Sequence, residues 1–180
     1  MRVIPQRLKG VYLLEPVVHE DHRGFFMESY NENIMKQYGI EVQFVQDNHS
    51  LSVHTGVLRG LHYQLQPKAQ TKLVRVLAGA IYDVVVDIRR DSPTFGQWMG
   101  FNLSAQNKQQ LLVPKGFAHG FCTLLPNTEV FYKVDEFYAP AYDRGILWSD
   151  PSLKIDWPVD APELSDKDRT HPTLANAELD

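Results

Sequence analysis

The chain has 180 residues, with 18 basic and 22 acidic side chains and a net charge of −4 at pH 7. That length suits one domain, residues 1–180, with a full hydrophobic core, and the well-mixed charge without a basic block argues against nucleic acid or an anionic membrane as partner. The single Cys122 cannot close an internal disulfide, the segment Met1-Arg2-Val3-Ile4-Pro5-Gln6 lacks a signal-peptide core, and no apolar run approaches the roughly 20 residues of a membrane span; a cytoplasmic address is expected.

Along the chain, period-two patterns rich in Val, Ile, Phe and Tyr are cut at short intervals by Gly, Pro, Asn and Asp, which predicts a mainly β protein. A strand is expected at 24–30, then one short helix at 32–38 capped by Asn31 and stopped at Gly39, then strands at 42–53, 57–64 and 72–77. The clearest strand is 80–88, where Tyr82, Val84, Val86 and Ile88 form one face and Asp83 and Asp87 fall on the other, a half-buried pattern. Further strands follow at 97–103, 109–113, 121–125 and 129–136. About nine strands is the count of a sandwich or jelly roll. Beyond Tyr138 the sequence is punctuated by Pro140, Pro151, Pro158, Pro162 and Pro172, so 138–180 is expected to be an ordered wrap with little regular structure. There is no internal repeat.

Three polar residues interrupt these apolar strands: His62, Lys72 and Tyr132. Alone, each has an ordinary reading. Lys72 shares a face with Val74 and Val76, and most strand lysines simply reach water. Tyr132 shares a face with Val130 and Val134 and so points inward, where a tyrosine is usually core filler with its hydroxyl satisfied. A histidine in an apolar strand is more often a satisfied core residue than a catalyst. Brought to one pocket, however, a base, a cation and a phenol are what proton transfer beside a carbonyl requires.

A fourth signal is Val113-Pro114-Lys115-Gly116-Phe117-Ala118-His119-Gly120-Phe121, a Pro-x-Gly-x-x-His turn that presents His119 at the start of a strand. It resembles the second motif of cupin-type jelly rolls. The first motif of metal-binding cupins supplies His-x-His and a glutamate, whereas here His62 is followed by Tyr63 and Gln64, so no metal is expected.

In order, His22-Arg23-Gly24-Phe25-Phe26-Met27-Glu28, Gln46-Asp47-Asn48-His49-Ser50, Leu58-Arg59-Gly60-Leu61-His62-Tyr63-Gln64, the run Asp87 to Gly96, the Pro114 to Phe121 turn, Gly145-Ile146-Leu147-Trp148-Ser149-Asp150-Pro151 and Leu164-Ser165-Asp166-Lys167-Asp168 closely resemble the dTDP-4-dehydrorhamnose 3,5-epimerase family. The resemblance runs from about Val3 to Pro172. It implies an all-β, cupin-like jelly roll, or double-stranded β-helix, with few short helices. It also implies inversion of C3 and C5 of dTDP-4-dehydro-6-deoxy-D-glucose through an enolate at the C4 ketone. No cofactor is then needed, because the ketone already acidifies both neighbouring carbons.

By the same resemblance His62 is the base, Asp168 pairs with it, Lys72 stabilises the enolate oxygen and Tyr132 returns a proton from the other face. Arg23, Arg59 and Lys167 meet the diphosphate or sugar, and His119 joins the substrate-binding set. Glu28, Gln46, Asp47 and Asn48 meet the nucleotide, and Tyr138 stacks on thymine. Asp143 stands where the family usually carries a glutamate that contacts ligand. In a regular strand Arg59 and His62 face opposite ways, so a bulge or bend is expected at Gly60 if both line the pocket. The resemblance further implies a homodimer in which the N-terminal segment crosses to the partner. Three rival readings stay open: a metal-dependent cupin enzyme, a single-site epimerase or ketoisomerase of a related dTDP-sugar, and a sugar-binding jelly roll without catalysis.

Overall fold

The computed structural model describes residues 1–180. Its elements in chain order are β1 (Arg2–Pro5), β2 (Tyr12–Glu15), β3 (Val18–Asp21), β4 (Gly24–Met27), α1 (Glu32–Gln37), β5 (Gln46–Ser52), β6 (Leu58–Gln64), β7 (Lys72–Ala78), β8 (Ala80–Asp87), β9 (Trp98–Ser104), β10 (Gln110–Val113), β11 (Phe117–Thr123), β12 (Thr128–Val134), β13 (Asp143–Gly145) and α2 (Asp166–Arg169). A six-stranded sheet in the order β1-β2-β10-β7-β12-β5 faces a five-stranded sheet in the order β13-β6-β11-β8-β9, and β3 and β4 form a separate two-stranded ribbon. This is the all-β, cupin-like jelly roll. No helix is long and apolar enough to cross a membrane.

Alternation along the strands builds the layers. Val74 and Val76 of β7, Leu111 and Val113 of β10 and Val130 of β12 meet Ile81 and Val85 of β8, Leu103 of β9, and Phe117 and Phe121 of β11 in a core between the sheets. Fully burying side chains of this size contributes roughly 1.5–3 kcal/mol each before conformational entropy is charged against it. On the outer face of the six-stranded sheet, α1 buries Met35 among Val3, Leu14, Leu73 and Leu112. Its start is fixed by Asn31, whose side chain accepts from the backbone N–H of Asn33 and Ile34.

Four strands, β1, β2, β3 and β13, lie where none was expected. Each is only three or four residues long and lies in no longer alternating run, unlike the equally short β4 and β10, which fall inside the expected runs 24–30 and 109–113. The strand expected from 42 begins only at Gln46, and β11 begins at Phe117, directly after the turn at Gly116. His119 therefore sits mid-strand, facing His62 across the ladder, and not at a strand start.

Strand β8 corrects a second expectation, because it is buried on both faces and not half buried. Val84, Val86 and Ile88 are covered by the C-terminal wrap through Ile146, Leu153 and Ala177, with Trp157 and Leu174 packed alongside. On the inner face Asp83 and Asp87 are both 0% exposed. They are tolerated because each is paired: His119 Nε2 lies 2.8 Å from Asp83 Oδ1, and Asp87 accepts from Arg89, Ser92 and Thr94. Those bonds outweigh the upward push of burial and hold the Asp87 carboxyl down at about 2.

The irregularity at Gly60 is present and positions the site. Between β6 and β11, His62 pairs with His119 but Arg59 pairs with Phe121, so β6 carries one extra residue there. Gly60 has φ +131°, and a Cβ on it would stand 2.5 Å from Gly120 Cα. Only glycine fits this close approach. Gly60→Ala is expected to cost about 2–3 kcal/mol and to lower the urea midpoint accordingly; an unchanged midpoint would show that the bulge can be rebuilt with a side chain.

Candidate active site

A cavity of about 440 Å³ opens between the sheets, with Arg59, His62 and His119 on the five-stranded side and Ser50, Lys72 and Tyr132 on the six-stranded side. Glu163, Leu164, Ser165, Lys167 and Asp168 of the C-terminal wrap complete its rim. A second space of about 350 Å³ shares His62, Lys72, Tyr132 and Lys167 with it and adds Gln46, Asn48, Tyr138 and Asp143. The bulge at Gly60 is what lets Arg59 and His62 reach the same cavity.

His62 Nε2 lies 2.5 Å from Asp168 Oδ1, a charge-assisted contact. With Nε2 committed to that carboxylate, Nδ1 is the ring atom left for chemistry. Burial pushes the His62 imidazole below its ordinary value, Asp168 pulls it back up, and Lys72 and His171 lower it further. Asp168 enters through the turn that starts α2, where its backbone N–H donates to Ser165 Oγ at 3.1 Å. Burial alone would raise its carboxyl, but contacts with His171 and His62 outweigh this and hold it well below the usual carboxylate range.

Lys72 is only 8% exposed, which rejects the ordinary reading of a strand lysine reaching water. Its Nζ lies 3.5 Å from the His62 carbonyl, and burial brings its ammonium down to about 8, opposed by the fields of Asp143 and Asp83. Tyr132 packs against the inter-sheet core, and burial raises its phenol despite the nearby Arg59. A base with its carboxylate, a buried cation and a phenol on the facing sheet therefore line one cavity.

The remaining residues divide by strand parity. Gln46, Asn48 and Ser50 share the inner face of β5; Gln46 Nε2 donates to Asn48 Oδ1 at 2.9 Å, and Gln46 Oε1 accepts from Tyr138 N at 3.1 Å. Asp47 alternates to the other face, half exposed and 2.9 Å from Lys133 Nζ, so it lines neither space. Arg59 donates to Ser52 Oγ and to the Leu51 carbonyl, both at 3.2 Å. Asp143 Oδ2 is shared by Lys167 Nζ and, at 3.0 Å, by the Tyr138 hydroxyl. These contacts raise the Tyr138 phenol, and the pull of Asp143 on the Lys167 ammonium outweighs its partial burial.

Besides Asp47, two more expected residues lie elsewhere. Arg23 sits at the tip of the β3–β4 ribbon, paired with Asp21 at 2.5 Å, and Glu28 accepts from Asn31 at 3.0 Å. Neither lines the cavity of its own chain.

The structure also brings in residues the sequence reading missed. Ser50 Oγ is buried in the cavity wall without a partner; its signal was the alternation of Gln46, Asn48 and Ser50 on one strand face. His171 is the larger omission, its signal being the three-residue spacing from Asp168 across a helical turn. Ligand atoms of His62, Asp168 and His171 lie within 4.8 Å of one another, the one cluster of potential metal donors. Here both imidazoles address the same oxygen, so the cluster reads as a proton-handling group around a single carboxylate.

The chain matches the family model described as dTDP-4-dehydrorhamnose 3,5-epimerase over residues 5–176. It is 57% identical over 169 residues to the dTDP-4-dehydrorhamnose 3,5-epimerase of Shigella flexneri, covering 93% of each chain. The Bacillus anthracis enzyme of that name, solved with TDP and PPi bound, superposes with a TM-score of 0.94 at 58% identity, covering 96% of this chain and 98% of that one. A Legionella pneumophila dTDP-6-deoxy-D-glucose-3,5-epimerase in complex with dTDP-4-keto-L-rhamnose gives a TM-score of 0.93 at 46% identity, covering 97% and 93%.

Proposed function

The chain belongs to the dTDP-4-dehydrorhamnose 3,5-epimerase family, and from that membership we propose how its cavity performs the reaction. The activity is inversion of C3 and C5 of dTDP-4-dehydro-6-deoxy-D-glucose to give dTDP-4-dehydro-L-rhamnose, on the route to dTDP-L-rhamnose. His62 Nδ1 takes the proton from C3 or C5; the C–H electron pair moves into the ring and onto O4, making an enolate. Lys72 balances the charge on that oxygen. Asp168 holds the His62 ring with Nε2 protonated and stabilises the imidazolium. Tyr132 donates its hydroxyl proton to carbon from the opposite side, and solvent restores both groups.

The observation that carries this reading is the division between sheets. The His62–Asp168 pair at 2.5 Å stands on one wall and Tyr132 on the facing one. Inversion needs a proton removed from one side of a carbon and returned to the other, and a binding protein has no need of that arrangement.

Arg59, His119 and Lys167 are positioned to meet the diphosphate and sugar, with Gln46, Asn48, Tyr138 and Asp143 toward the nucleoside. Asp143, though shorter than the usual glutamate, already engages Lys167 and Tyr138 and so retains a place in the ligand wall. Arg23 and Glu28 contribute through a homodimer, carried by the β3–β4 ribbon into the partner's cavity. In support, the ribbon leaves Phe25 57% and Phe26 72% exposed, side chains that a partner surface would cover. The single buried Cys122 supports a reducing, cytoplasmic setting.

The test is solvent deuterium incorporation, followed by NMR in chelator-treated buffer. Wild type is expected to exchange both C3 and C5; exchange at one carbon would make it a single-site relative, and binding without exchange would leave a sugar-binding protein. Tyr132→Phe should separate the two proton transfers. Deuterium still enters through His62, while formation of the L-sugar falls about 100-fold. Loss of exchange and inversion in equal measure would remove Tyr132 from the role of opposing acid.

A further inference from the structure

His171 is placed with more care than a bystander in the C-terminal wrap requires. Its side chain is 9% exposed, and its Nε2 comes 3.3 Å from Asp168 Oδ1, the oxygen that His62 engages. That approach is too oblique for a full hydrogen bond, and no other group partners the buried nitrogen. The two imidazoles meet edge to face, with centroids 5.6 Å apart and planes at 78°. The fold also makes room for the ring. Gly145, paired with His62 across β13 and β6, would with any Cβ stand 2.3–2.5 Å from the ring atoms of His171.

We propose that His171 is a positioning residue for the base, a second imidazole that shares the Asp168 carboxylate and fixes the His62 ring edge-on so that Nδ1 faces the cavity. It touches no reacting atom. The proposal rests on His62 being the base, as read above. Two consequences follow from the geometry. With the carboxylate divided between two imidazoles, each draws less from it, so His62 stays neutral to lower pH. With the ring wedged between Asp168 and His171, its orientation does not have to be recovered at each turnover.

The groups facing His62 define the prediction. Lys72 of β7 and His171 lower its proton affinity, and Asp168 raises it. His119 lies opposite on β11, and Tyr132, Lys167 and Asp143 share the adjoining space. Removing His171 removes a lowering influence and returns the whole of Asp168 to His62. The base then protonates at higher pH, and activity, which needs neutral His62, is lost sooner as pH falls.

The experiment compares wild type, His171→Phe, His171→Gln and Gly145→Ala by NMR titration of the His62 ring and by the pH profile of kcat/KM. In His171→Phe, the acidic limb and the His62 titration should move up together by roughly half a pH unit. Above the limb, kcat should fall about five- to tenfold with KM within about twofold. His171→Gln, which keeps an N–H at the same reach, should restore the wild-type profile. Gly145→Ala, which keeps the imidazole but pushes it off its seat, should behave like His171→Phe and stands in for it if that variant does not fold. An unmoved His62 titration in either variant, or a glutamine variant shifted as far as the phenylalanine one, overturns the proposal and leaves His171 as packing. Wild-type exchange at C3 and C5 reports separately on His62 as base.

Discussion

His62→Ala is expected to remove solvent exchange at C3 and at C5 together, with kcat falling roughly 10³-fold, the middle of the range for a positioned general base. Both carbons should be lost because both protons leave toward the same ring, and KM should change little because the nucleotide is held by other residues. The variant should remain folded. Asp168 is 3% exposed and loses its 2.5 Å partner, which costs about 1–3 kcal/mol, but His171 and the Ser165 cap stay beside the carboxylate. Circular dichroism and the unfolding midpoint check that point separately. Exchange at either carbon within about tenfold of wild type would remove His62 from the base role. The wild-type profile carries a second signature: since burial, with Lys72 and His171, outweighs the pull of Asp168 and lowers the His62 imidazole, its acidic limb should lie below the ordinary histidine value.

Much of the fold was legible from residue pattern alone, the roles of His62, Lys72, Tyr132 and Asp168 came from the family resemblance, and the parts that neither reached have identifiable causes. The long strands were found because period-two alternation stands out in runs of about five or more residues; β1, β2, β3 and β13 lie in no such run, whereas the equally short β4 and β10 lie within expected runs at 24–30 and 109–113. The parity conflict between Arg59 and His62 predicted the irregularity at Gly60, a case in which local sequence fixes a tertiary detail. The second buried face of β8 was hidden because its cover comes from residues almost 60 or more positions later, in a wrap whose prolines gave no periodic signal. His171 was hidden for a related reason. Its meaning lies in Asp168 and Gly145, one a helical turn earlier and the other across a loop, and only the folded chain brings the three together. Arg23 and Glu28 show the converse: their motif resembles substrate-binding sequence, yet a single chain holds them away from its own cavity.

Lys72→Met should trade activity for stability, and the trade should depend on pH. The buried ammonium is the charge that faces an enolate oxygen, so its loss should lower kcat about 10²- to 10³-fold, equally for exchange at C3 and C5, because both enolates share O4. Methionine has similar length and no branching, so the cavity wall should repack at small cost. The stability effect runs the other way. Unfolded, the lysine holds its proton to about 10.5; folded, burial brings it down to about 8. Below the folded value the ammonium is charged in both states, and the cost of burying it is borne in full, about 3 kcal/mol for a shift of that size. Between about 8 and 10.5 the unfolded chain holds a proton that the folded one has released, so wild-type stability gains on the variant as pH rises, and the difference closes above that window. Urea unfolding at pH 7 should therefore find Lys72→Met the more stable protein by about 2–3 kcal/mol, with the gap closing toward pH 10.5. Over the same window wild-type kcat should fall as pH passes about 8, where Lys72 loses its charge. A variant less stable than wild type at pH 7 would mean that the ammonium is held by compensating contacts and not strained by burial, and it would take with it the reading of Lys72 as a preorganised charge awaiting the enolate.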